Sequence, residues 1–99
     1  MFILELTYTA PLERVDALLP AHVAWLERHY ADGAFLASGR KVPRDGGVIL
    51  AVAPDRAAVE AIAATDPFVP AGVAEYRITE FLATTTAPAL AAHRQTLPA

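Results

Sequence analysis

Residues Phe2–Thr9 alternate strictly, with Phe2, Leu4, Leu6 and Tyr8 on one side and Ile3, Glu5, Thr7 and Thr9 on the other. A period of two marks a strand with one buried face, so something must cover Phe2, Leu4 and Leu6. The cover follows at once. Thr9-Ala10-Pro11 ends the strand, and Pro11 suits the first turn of a helix. An apolar stripe of Leu12, Val15, Leu19, His22, Val23, Leu26 and Tyr30 then predicts a helix to about Ala31, stopped by Asp32-Gly33. Pro20 is expected to kink or restart that helix.

The rest of the chain repeats this grammar. Ala34–Gly39 reads as a second strand, and Arg40–Gly47 as a turn-rich connection ending in a Gly46-Gly47 turn. Its two glycines, proline and charged residues predict a mobile loop, with Lys41 and Arg44 in solvent. Val48–Ala53 is a continuous apolar run, expected to be a more fully buried strand. Asp55 is a plausible N-cap for a second helix with Val59, Ile62 and Ala63 inward, ending at Asp66-Pro67. Val73–Phe81 is a fourth strand, and the tail has one helical turn near Leu90–His93. The order βαββαβ predicts an α+β fold of the ferredoxin-like kind, two helices on one face of a four-stranded antiparallel sheet. The expected domain is residues 1–82, with 83–99 as a tail.

Composition bounds the surroundings of such a fold. The chain has 99 residues, is 55% hydrophobic and has a mean hydropathy of +0.33. A monomer of this mass has a surface of roughly 5,400 Å², too little to hide that much apolar area comfortably. The sheet face without helices would carry Ile3, Thr7 and Phe81 beside Glu5, so two sheets closing against each other in a homodimer are expected. Glu5, Arg14 and Asp16 interrupt the N-terminal half, so no run reaches the roughly 18 apolar residues of a membrane span. The N-terminus lacks a basic signal-peptide region and there are no cysteines, which together predict a cytoplasmic protein without disulfides or thiolate metal sites. A net charge of −3 leaves no electrostatic footprint for nucleic acid.

Few residues could carry chemistry. By helical phase His22 points into the apolar face, either as a core histidine satisfied by a backbone carbonyl or as a working base. Asp66 lies seven residues after Val59 at the inward edge of its helix, where it either starts an Asx turn into Pro67 or meets His22. A carboxylate on an imidazole fixes the tautomer and makes a usable general base. Trp25 and His29 sit at the margin of the same helix face. Trp25 is core or interface, or a ring that stacks on an aromatic ligand. Ser38-Gly39-Arg40 is either a plain strand end or an anion site made of a hydroxyl, a backbone amide and a guanidinium. His22 and His29 are too far apart along the helix for a metal pair, and no third ligand is evident. No cofactor motif is present, and His93 has no evident role.

Four segments in order, Leu19-Pro20-Ala21-His22, Phe35-Leu36-Ala37-Ser38-Gly39, Gly46-Gly47-Val48-Ile49-Leu50 and Asp66-Pro67-Phe68-Val69-Pro70-Ala71-Gly72-Val73, resemble the YciI-like (YCII-related) family. The resemblance spans about Phe2–Phe81. It implies a ferredoxin-like protomer that pairs into a dimeric α/β barrel, with a His–Asp dyad that transfers to His22 and Asp66. It also associates the chain with muconolactone-isomerase-like folds and a dehydrochlorinase of aromatic degradation. Arg40-Lys41 stands here where many relatives carry proline.

Two functions are consistent with these residues. One is a cofactor-free enzyme with His22 as base, Asp66 orienting it, and Ser38, Gly39 and Arg40 holding an oxyanion or carboxylate of a small organic substrate, with Trp25 and Phe68 as aromatic contacts. Isomerisation or HX elimination suits one base and one charge stabiliser. The other is a non-catalytic dimer that binds a small metabolite or assembles with a partner.

Overall fold

The computed structural model describes residues 1–98. The elements run β1 (Phe2–Tyr8), α1 (Leu12–Ala31), β2 (Phe35–Arg40), β3 (Gly46–Ala51), α2 (Arg56–Ala64) and β4 (Ala74–Glu80), followed by a short 3-10 helix at Pro88–His93. The sheet order is β2-β3-β1-β4, every pair antiparallel, which makes the protomer an α+β fold of the ferredoxin-like kind. Leu4 of β1 lies opposite Ile49 and Ile78, and Leu6 opposite Gly47 and Tyr76. That register gathers Phe2, Leu4, Ile49 and Ala51 beneath Trp25 of α1 and Val59 of α2. A second cluster of Leu6, Val15, Phe68, Val73 and Ala74 continues the core toward the other end.

The helices begin and end for local reasons. Asp55 caps α2 by accepting the Ala58 N–H at 2.8 Å. Gly33 follows the last turn of α1 with φ +85°, a conformation that favours glycine. At Pro20 the helix does not restart. Pro20 is exposed, so water can take the carbonyl left without its N–H partner. The inward face of α1 is Val15, His22 and Trp25, whereas Leu12, Val23 and Tyr30 of the expected stripe are about 40% exposed. Trp25, expected at the margin, sits at the centre of the core with no exposure.

Three strand expectations change. Gly46 and Gly47 are not a turn but the first residues of β3, paired with Thr7 and Leu6. The two backbones run so close there that a Cβ on Gly46 would lie 1.7 Å from the Leu6 carbonyl oxygen. Second, β3 is not buried throughout. Ile49 and Ala51 face the helices, while Val48, 38% exposed, faces the open side. Only one sheet face has helices, so the period of two returns. Third, β2 carries an irregularity between Phe35 and Ala37, and beyond it Ser38 pairs with Ile49 and Arg40 with Gly47. The extra residue, Leu36, turns Ser38 and Arg40 toward the helix side.

The connection also differs from its reading. Arg44 reaches back to Asp16 on α1 and lies over the Tyr8 ring, 5.8 Å from its centroid. Lys41 faces Glu5 and Asp45, each at 3.6 Å, and the Asp45 carbonyl accepts the Tyr8 N–H at 2.8 Å. Neither Lys41 nor Arg44 is simply in solvent. The tail folds back as Gln95 exchanges hydrogen bonds with the backbone of Ala83 at 2.9 and 3.0 Å. The total accessible surface is 5933 Å², above the roughly 5,400 Å² typical of this mass. Ile3, Val48 and Phe81, each more than one-third exposed, contribute to that excess.

Replacing Gly46 by Ala therefore forces β1 and β3 apart and is expected to cost at least about 2 kcal/mol in urea unfolding. Asp55→Ala removes one cap bond and is expected to cost about 1 kcal/mol by the same measurement.

Candidate active site

Three elements converge on one carboxylate. Asp66 follows α2 and has no solvent exposure. Its Oδ1 accepts the Phe68 N–H at 3.0 Å, the Asx turn expected before Pro67. Its Oδ2 accepts the Tyr76 hydroxyl of β4 at 2.5 Å. From α1, His22 Nδ1 lies 3.0 Å from both oxygens. An ionised carboxylate only accepts, so a neutral His22 donates from Nδ1 and leaves Nε2 as the basic nitrogen. Burial, and next the Asp66 carboxylate, push the Tyr76 phenol far above the ordinary tyrosine range. Tyr76 thus stays a donor.

The His22 ring is clamped as well as bonded. Phe68 stacks on it at 4.2 Å with planes 8° apart, and Trp25 packs at 5.6 Å. Trp25 Nε1 donates to Thr65 Oγ1 at 2.8 Å. His22 and Trp25, one helical turn apart, therefore grip the successive residues Asp66 and Thr65.

On its open side His22 lines a cleft of about 190 Å³ between α1 and the sheet. Leu6, Leu19, Leu26 and Ile49 make apolar walls, and Tyr8, Ser38 and Arg40 supply polar groups. Tyr30 donates to Ser38 Oγ at 2.6 Å, which leaves the Ser38 proton free to point elsewhere. Beside the cleft, the Arg44 hydrogen bond holds the Asp16 carboxyl below its usual range. That contribution is complete above the ordinary carboxylate value near 3.8 and fades as the pH falls through the lowered one.

Of the residues singled out from sequence, His22, Ser38, Gly39 and Arg40 share this cleft, and Asp66 lies behind His22. Trp25 and Phe68 do not reach it. Both have no exposure, and their rings are spent on the core and on His22. His29 pairs with Asp32 at 3.1 Å. Gly39 needs neither a positive φ nor a close contact, since a Cβ there would meet nothing within 4 Å. Sequence reasoning missed Tyr76 and Tyr8. The signal was present for both, because each occupies an inward position of its strand.

Fold and cleft together define a small ferredoxin-like α+β protein with a buried His–Asp pair facing an apolar cleft. The family model of the YCII-related domain matches residues 1–82, and the chain belongs to that family. Among solved structures it is similar to the 5-chloro-2-hydroxyhydroquinone dehydrochlorinase TftG of Burkholderia phenoliruptrix AC1100, in complex with 2,5-dihydroxybenzoquinone. That match has a TM-score of 0.68 at 20% identity, covering 82% of this chain and 93% of that one. No curated protein matches.

Asp66→Ala strands the His22, Tyr76 and Phe68 donors and is expected to cost about 3 kcal/mol or more in urea unfolding. Asp16→Ala releases Arg44, and faster amide exchange at Lys41, Asp45 and Tyr8, whose N–H is bonded to the Asp45 carbonyl, is the expected result, with the Leu4 and Leu6 amides unchanged.

Proposed function

We propose that the protein is a small enzyme in which His22 Nε2 is a general base and Asp66 orients it. Its substrate is a one-ring organic molecule with an acidic hydroxyl or carboxylate, and its reaction is HX elimination or isomerisation. The observation that carries this reading is the His22 ring, tied through Nδ1 to a buried carboxylate with its cleft side lined by apolar walls. A cavity near 150 Å³ accommodates benzene, so the cleft suits a single ring. Arg40 and Ser38 would hold the developing negative charge. In elimination, Nε2 takes a proton from the substrate, the electron pair of the bond that held it forms a new double bond, and the halide leaves with the electron pair of the carbon–halogen bond.

Family membership and the likeness to a dehydrochlorinase support the substrate class. We further propose that residues 1–82 are the working unit, with the tail accessory to it, and that the protein is a homodimer closing its open sheet faces into a barrel. Ile3, Val48 and Leu50 would then be covered across the interface. No helix among the described residues is long and apolar enough to cross a membrane, and a cytoplasmic site of action fits the absence of cysteine.

The test is a thermal-shift screen of small phenols, hydroxyquinones and carboxylates on wild type and His22→Ala. A chloride-release assay on 5-chloro-2-hydroxyhydroquinone accompanies it. Wild type is expected to release chloride, and His22→Ala to be about 10²–10⁴-fold slower while dimerisation is unchanged. Ligand binding without turnover of any screened compound would instead favour a metabolite-binding dimer.

A further inference from the structure

We propose that Tyr76 is a positioning residue of this site: its hydroxyl holds Asp66 as an ionised acceptor, which keeps the His22 proton on Nδ1 and Nε2 free. The inference rests on the reading of His22 as base, and it assigns a role to a side chain that never touches the cleft.

The geometry is specific. Tyr76 lies on β4 opposite Leu6, on the helix side of the sheet, and packs against both core clusters. Its Oη meets Asp66 Oδ2, while Phe68 N–H occupies Oδ1. Asp66 is wholly buried, and burial favours the neutral acid unless donors replace the lost water. Two donors besides His22 do so, one backbone and one phenolic. The backbone donor is built into the Asx turn and cannot be lost. The phenol is the replaceable one.

Without it, Oδ2 becomes a buried acceptor with only His22 to satisfy it. Taking one proton from solvent then relieves Asp66. The new carboxylic acid donates to Nδ1, and a neutral imidazole must carry its single proton on Nε2. The count balances: one proton enters, the pair gains one, and the base position is filled. Removing one hydroxyl that lies behind His22 would thus disable the base without altering the cleft lining.

The experiment uses the full chain labelled with ¹⁵N, with His22 signals assigned against His22→Ala. Long-range ¹H–¹⁵N spectra at neutral pH should show the Nδ1–H tautomer in wild type. In Tyr76→Phe, which keeps the ring and its packing, the expected result is a shift of His22 toward the Nε2–H tautomer, with circular dichroism unchanged. Folded Tyr76→Phe with His22 still in the Nδ1–H form overturns the proposal and leaves the general-base reading intact. Wild-type His22 in the Nε2–H form overturns both. Wild type supplies a second measurement that does not depend on the variant folding. The Tyr76 hydroxyl proton should be a downfield, slowly exchanging resonance with a cross-peak to the His22 Nδ1 proton, and its absence overturns the proposal as well.

Discussion

A carboxylate shut away from water is the point on which the rest of this molecule turns. Removing an ionised group from solvent carries a penalty of several kcal/mol unless its lone pairs are met. Asp66 meets that penalty with donors from three places: the turn at Phe68, the strand β4 through Tyr76, and the helix α1 through His22. Each donor comes from a different segment, so the middle of α1, the turn after α2 and the strand β4 are brought together by one residue. An apolar side chain at this position could fill the space, but it could not specify which groups must meet there.

The same arrangement fixes the orientation of the histidine. Its ring is held between the Asp66 carboxylate and Phe68, which lies flat on one face, with Trp25 packed nearby. The aromatic residues around His22 therefore form a scaffold behind the imidazole, and the cleft in front is left to aliphatic walls and a few polar groups. Structural and chemical roles are not alternatives at Asp66. The Asx turn and the imidazole contact use the same carboxylate, and the turn is what aims it.

The open side of the sheet poses the complementary problem. Ile3 and Val48 are more than one-third exposed there, alongside the charges of Glu5 and Lys41. The set of His22, Asp66 and Tyr76, in contrast, is held together within one chain. His22 on the helix side and Ile3 on the open side lie on opposite faces of the sheet, so each can be substituted without touching the other.

Much of this architecture was legible in the residues. Alternation over Phe2–Tyr8, the Asp32-Gly33 stop and the Asp55 cap act over a few positions, and local sterics and hydrogen bonding decide them wherever the segment lies. Helical phase placed His22 inward for the same reason, and the resemblance in Asp66-Pro67-Phe68 pointed to its partner. What was not legible depends on a second segment. Gly46 looks like a turn until the Leu6 carbonyl is seen against it. Trp25 looks marginal until Thr65 receives its N–H. Ser38 and Arg40 reach the cleft because one extra residue in β2 shifts the phase of everything after it, and only pairing with β3 reveals that. Tyr76 was an ordinary inward strand residue in the sequence. Its importance comes from a carboxylate ten positions earlier, and no local rule connects two residues whose meeting is set by how a helix end packs on a strand.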